Sequence, residues 1–219
     1  MTTVNELFKI AVIDDDADVR DLFEIQVELW DREPVVFSED RLGAIEGFLE
    51  RSGGFDAGIT DFKLQTSGYA QFNGAELASR WMRRKVPAIL CTRFESAEII
   101  HIRPHLRYIP AILQPDELKP EMIERAFERG LQEIAGRFVE DRKPWRAQVH
   151  FLDSDNTNPE LMLVELPSWQ GSDRIWVSRS DLPAPLQKLV RPGYRTFAQA
   201  NLGAEAGLAL YLTEWEVRE

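Results

Sequence analysis

Thiol and imidazole chemistry is nearly absent from this chain: 219 residues include one cysteine, Cys91, and three histidines. A single thiol excludes any disulfide within the chain and fits a reducing compartment. His101, His105 and His150 have no metal-ligand spacing, and no nucleophile-and-base set accompanies them. Long apolar runs are missing too, none approaching the roughly 20 residues that span a bilayer. The start, MTTVNELFKIAVIDDD, lacks the basic, then apolar, then small-residue order of a signal peptide, so a cytoplasmic protein is expected. Positive charge is scarce, with 26 Lys and Arg against 37 Asp and Glu and a net charge of −11. Residues 1–140 carry 17 basic against 26 acidic side chains, and residues 141–219 carry 9 against 11. Neither half is the basic surface that displaces counterions from phosphates, which makes DNA an unexpected partner.

What is present reads as an ordinary globular protein, 44% hydrophobic and 29% charged. Phe8–Ile13 is an apolar strand that ends abruptly in Asp14, Asp15 and Asp16. Helical spacing follows over Val19–Trp30, then the strand-like Pro34–Phe37, a helix over Leu42–Leu49, and a short strand Asp56–Thr60 leading into Asp61. Gln65–Gln71 is loop-like, and Asn73-Gly74 opens a helix reaching about Arg84. Val86–Cys91 is a strand ending in Thr92, Ser96–His105 a helix, Ile109–Leu113 a strand before Gln114-Pro115, and Pro120–Phe138 a long amphipathic helix whose tail, with 140–143, is expected to serve as a connector. Such alternation predicts a doubly wound (βα)5 parallel sheet of flavodoxin-like topology, with any functional crevice at the carboxyl ends of the strands. Asp14, Asp15, Asp61, Thr92 and Gln114 all stand at such ends.

Beyond residue 141 the pattern changes. Gln148–Leu152, Leu161–Leu166, Arg174–Ser178, Thr196–Asn201 and Leu208–Val217 read as strands between short turns, with a short helix at Leu186–Val190. A small antiparallel β-barrel of OB or SH3 type is expected over 142–219, following a first domain over 1–141. Trp145, Trp169, Trp176, Tyr194, Tyr211 and Trp215 are core or rim residues of it, or else a groove for a peptide or a stacking platform for single-stranded nucleic acid. The low charge favours a protein partner.

The first half resembles the receiver domain of two-component response regulators. KIAVIDDDADVRDLF is similar to the family's opening strand and helix, FDAGITDF to its third strand, VPAILCTRF to its fourth and IPAILQP to its fifth. The resemblance implies that Asp14 and Asp15 help bind Mg2+, that Asp61 accepts a phosphoryl group, that Thr92 contacts it, and that the Lys63 main-chain carbonyl completes the metal ligands. It implies a histidine kinase or phosphotransfer protein as phosphodonor, a downstream protein partner, a homodimer formed through the later helices, and signalling in place of enzymatic turnover. The physical logic agrees, because a carboxylate attacks an anionic phosphoryl group only when a divalent cation offsets their repulsion.

Four features depart from the family pattern. Gln114 stands where the family has lysine, and Lys119 is the nearest later cation. Arg93 follows Thr92 where a small residue is usual, and it either blocks the pocket or supplies the missing charge. Ala111 replaces a switching aromatic, and about five extra residues, centred on Gln65–Gln71, lie beside the site, where they gate it or bind a partner. A receiver that has lost the switch and serves as a phosphorylation-independent scaffold is therefore a second reading. An aspartate-dependent phosphohydrolase of the haloacid-dehalogenase type is a third, since Asp14 and Asp16 have Asp-x-Asp spacing, although Asp18 stands where those enzymes carry Thr or Val. The bland reading of the Asp run is a helix N-cap.

Overall fold

A computed structural model describes residues 2–93, 99–171 and 173–217. The chain divides into two compact units, one made of Met1–Phe94 and Tyr108–Arg137, the other of Glu95–Arg107 and Phe138–Glu219. The expected boundary after residue 141 treated each half as one continuous stretch. In the structure the second unit instead takes in a piece of chain from between two strands of the first.

The first unit follows the alternation read from the sequence. Its elements are β1 (Lys9–Ile13), α1 (Ala17–Leu29), β2 (Glu33–Val36), α2 (Ile45–Arg51), β3 (Ala57–Asp61), α3 (Gly74–Arg83), β4 (Ala88–Cys91), β5 (Ile112–Leu113) and α5 (Pro120–Ile134), with α4 (Ile99–Ile102) belonging to the second unit. The five strands form one parallel sheet in the order β2-β1-β3-β4-β5. Strands buried on both faces need unbroken apolar runs, and β1, β3 and β4 supply them. Ile10, Val12, Ile59 and Ile89 pack with Phe23 and Val27 of α1 and Ile123 and Phe127 of α5. Gly58 points to the opposite face, where a Cβ would lie 2.4 Å from the Trp81 ring of α3, so the missing side chain lets that helix sit against the sheet.

Three helices of this unit end the same way. After α1, α3 and α5 the chain turns through a left-handed residue: Asp31, Lys85 and Gly136. In each case the next residue's N–H donates back across the turn, Arg32 to Val27, Val86 to Trp81 and Arg137 to Gln132. This satisfies carbonyls the helix leaves open. It also corrects the expected helix Pro120–Phe138: Gly136, at φ 77°, stops α5 at Ile134, and Glu140–Arg142 form a separate 3-10 turn. Of the helix expected over Ser96–His105, the start lies outside the described residues and Ile99–Ile102 is helical.

The second unit holds β6 (Trp145–Ser154), β7 (Leu161–Glu165), β8 (Ile175–Ser178), α6 (Ala184–Leu189), β9 (Arg195–Ala200) and β10 (Leu212–Thr213). They form a curled antiparallel sheet in the order β10-β9-β6-β7-β8. This is a half-barrel: among the described residues its edge strands, β8 and β10, do not pair with each other. Alternate residues point inward, Ala147, Val149 and Phe151 meeting Met162, Val164, Val177 and Ala198. The strand expected over Leu208–Val217 shrinks to Leu212–Thr213 because side chains claim the neighbouring backbone. Asn201 donates to the Ala209 carbonyl and accepts from the Tyr211 amide, while Arg103 donates to the carbonyls of Gly207 and Leu210.

Arg103 is how the segment from between β4 and β5 joins this unit. It is 5% exposed, its Nε has no partner among the described residues, and burial pushes its guanidinium down to about 10. Ile102 and Leu106 are buried beside it, and Arg142 donates to the carbonyls of Leu106 and Arg107. Tyr211, also buried, donates its hydroxyl to the Arg142 carbonyl at 2.7 Å.

Candidate metal centre

The polar site lies in the first unit, at the carboxyl ends of β1 and β3. The parallel register pairs Ile13 with Thr60, so Asp14 and Asp61 follow as neighbours. Asp14, Asp15 and Asp61 each present a carboxylate oxygen, and these oxygens lie within 4.8 Å of one another. Asp16 caps α1 by accepting from the Asp18 amide at 2.9 Å. The helix-cap reading of the Asp run thus holds for its third member, and the first two join Asp61.

Main-chain N–H groups fix all three carboxylates. Asp14 accepts from Asp16 at 2.8 Å, Asp61 from Lys63 at 2.6 Å and Asp15 from Thr66 at 3.1 Å. A carboxylate offers about four lone-pair sites, so each retains acceptor capacity. Electrostatics leave the cluster short of positive charge. Burial, reinforced by the charges of Asp61, Asp15 and Asp16 and opposed by the Asp16 N–H, pushes the Asp14 carboxyl up to about 7. Asp61 is also raised, first by burial and then by Asp15, against the N–H groups of Lys63 and Phe62 and the Lys63 charge. Three converging hard oxygen donors in this state suit a hard divalent cation such as Mg2+.

Two positions show how closely the backbone is fitted. A Cβ on Gly74, the first residue of α3, would lie 1.7 Å from the Asp61 carbonyl oxygen, so only glycine lets the helix start there. Asn73 caps that helix by accepting from the Glu76 amide at 2.8 Å. Thr92, one residue beyond β4, is 3% exposed, and its amide donates to Leu113 at 2.8 Å. Arg93, Gln114, Lys63 and Lys119 are exposed, and Ala111 is half-buried. At Gln114 the backbone amide is taken by the Glu117 carboxylate at 2.8 Å, which puts negative charge at the end of β5.

No protein-family model matches the chain. No curated protein matches it. Solved structures do. A response regulator receiver domain protein from Clostridium thermocellum aligns over 58% of this chain and 96% of its own, at 18% identity and a TM-score of 0.42. A CheY-like receiver domain protein from Methanospirillum hungatei JF-1 aligns over 60% and 98%, at 18% identity and 0.41. The signal receiver domain of an HD domain-containing protein from Pseudomonas fluorescens Pf-5 aligns over 62% and 95%, at 15% identity and 0.45. The N-terminal part of this chain is similar to receiver domains. No helix among the described residues is long and apolar enough to cross a membrane.

The first unit also holds contacts that the sequence reading did not anticipate. Arg20 donates to the Asp14 carbonyl at 2.6 Å and lies 5.9 Å from the centre of the Tyr69 ring. The extra residues after Asp61 fold into a 3-10 turn over Thr66–Gly68, and it is this turn that supplies Asp15 with an N–H. The extra length was visible in the sequence, but nothing in its composition marks the residue that faces the site. In the second unit the six aromatics do not line up as one platform. Trp169 and Tyr211 are buried, with the Trp169 indole donating to the Ala204 carbonyl, while Trp145 is exposed beneath the Lys143 ammonium.

Proposed function

We infer that this chain is a phosphoryl-accepting response regulator, with Asp61 as the acceptor and a phosphohistidine of a kinase or phosphotransfer protein as the donor. The observation that supports it is the convergence of Asp14, Asp15 and Asp61 on one edge of the sheet, each held by a backbone N–H. An oxygen of Asp61 attacks the phosphorus, the P–N bond to the donor imidazole breaks, and an acyl phosphate forms on Asp61. Asp14, Asp15 and Asp61, with the Lys63 carbonyl, would hold Mg2+, which supplies charge neutralisation for the equatorial oxygens. The Lys63 amide orients the Asp61 carboxylate, and Thr92 donates its hydroxyl to the transferred group. With Gln114 uncharged, Arg93 provides the positive charge that the family's lysine brings. The output is altered protein–protein contact through the second unit, not DNA binding, in a cytoplasmic protein with no enzymatic turnover; a homodimer through the later helices fits the same reading.

Intact-mass measurement after treatment with a small phosphodonor and Mg2+ tests this. The wild type gains one phosphate, and Asp61→Asn gains none. A wild type that stays unmodified would favour the second reading, a phosphorylation-independent scaffold, which draws support from Glu117 occupying the backbone at Gln114.

A further inference from the structure

We propose that the backbone N–H of Thr66 is a positioning group for the cation site, and that the turn carrying it is part of the metal centre. The inference rests on the Mg2+ reading above. Asp14 and Asp61 are held by N–H groups only two residues ahead of them, which any chain making those turns supplies. Asp15 has no such local donor among the described residues. Its Oδ2 is instead held at 3.1 Å by Thr66, 51 residues further on.

A donor so remote is useful only if it is itself fixed, and the rest of the insertion supplies that anchorage. Tyr69, 5% exposed, donates its hydroxyl to the Phe37 carbonyl beyond β2 at 2.9 Å. The Leu42 amide donates to the Tyr69 carbonyl at 2.6 Å and the Gln71 amide to the Gly43 carbonyl at 2.9 Å. The Ala70 amide donates back to Leu64 at 2.8 Å, closing the loop on itself. Between these ties and Asp15 the chain passes through two successive left-handed residues, Ser67 at φ 54° and Gly68 at φ 75°. Ser67 holds a conformation that L-residues adopt at a cost, so the surrounding ties set this turn. Its Thr66 end is the part that reaches the carboxylate.

The consequence is a cation affinity that depends on a surface loop. A carboxylate fixed in advance loses less rotamer freedom when it binds a cation, and an outer-layer hydrogen bond of this kind sets the ligand's orientation. Anything that lifts the turn weakens the site without touching a ligand.

The test compares Mg2+ affinity by calorimetric titration in the full chain. Thr66→Pro removes the N–H, while Thr66→Ala keeps it. Thr66→Pro should bind about 10-fold more weakly, the lower end of outer-layer effects because the contact is exposed. Thr66→Ala should match the wild type. Tyr69→Phe removes one anchor without altering Thr66, and should weaken binding by about 2-fold to 3-fold. It thereby keeps the question open to a decision if the proline variant does not fold. Wild-type binding with equal affinity in Thr66→Pro, or in Tyr69→Phe where the proline variant is unfolded, overturns the inference and leaves the metal reading standing. Equal weakening in Thr66→Ala assigns the effect to the hydroxyl side chain and also overturns it. No Mg2+ binding by the wild type overturns the metal reading itself.

Discussion

The carboxylate cluster of the first unit and the loops of the second show side chains bound to the backbone in two different ways. At the site of the first, carboxylates accept main-chain N–H groups, mostly from two residues away. In the second, guanidiniums donate to main-chain carbonyls, and do so in pairs. Arg103 serves Gly207 and Leu210, Arg142 serves Leu106 and Arg107, and Arg179 serves Gln187 and Val190. The first arrangement holds three carboxylates close together at one sheet edge. The second ties irregular chain together where strands are short, with long fork-shaped donors, of which Arg103 reaches across more than a hundred residues of sequence. The first arrangement serves a cluster of carboxylates, and the second serves loops.

The sharpest way to break this contrast is at Gly74, where the first unit tolerates no side chain. Gly74→Ala drives a methyl group into the Asp61 carbonyl and should destabilise the protein by about 3 kcal/mol or more. Thermal denaturation reads this directly, and a loss under 1 kcal/mol would show that α3 shifts freely.

Next in size is Arg103→Met, which leaves the carbonyls of Gly207 and Leu210 without their donor while removing a buried charge. The net cost should be about 2 kcal/mol. Hydrogen exchange should quicken at 207–211 and 99–107 together, with β1 and β3 unchanged. Exchange that stays slow at 207–211 would mean the arginine is not what holds that loop.

Asp14→Asn should act with the opposite sign. The folded-state pKa of Asp14, about 7, lies above its ordinary 3.8, so the folded chain binds the proton more tightly. Its contribution to stability is therefore full below about pH 4 and is lost as pH rises to about 7. Without divalent ions at pH 8, Asp14→Asn should be more stable than the wild type by about 2 kcal/mol, with the difference vanishing at pH 4. Chemical denaturation across that pH range checks it, and added Mg2+ should stabilise only the wild type.

The smallest effect concerns the helix ends. Lys85 holds φ 65°, and Lys85→Gly should raise stability by about 0.5 kcal/mol, since relief of the left-handed strain slightly exceeds the entropy glycine adds to the unfolded chain. The denaturant midpoint measures it.

The same contrast explains what could be read from the sequence. The sheet and the Asp cluster were legible because their signals are local: KIAVI runs straight into its acids, and FDAGIT into Asp61. The alternation that forecast the half-barrel strands is local too. The end of α5 was misplaced because apolar spacing continues to Phe138, and the decisive residue was a single glycine, Gly136. Thr66 and Arg103 were invisible for a different reason. Thr66 acts on a carboxylate 51 residues away and Arg103 on carbonyls more than 100 residues away, and no spacing rule connects such donors to the groups they will reach.

Because residues 99–107 leave the first unit after β4 and return to it before β5, no single cut releases two whole pieces. Many proteins of this size behave as beads on a string, whose modules a recombination event at the linker can trade. Here a crossover at the apparent joint would hand its recipient a second unit without Arg103, the donor to the Gly207 and Leu210 carbonyls.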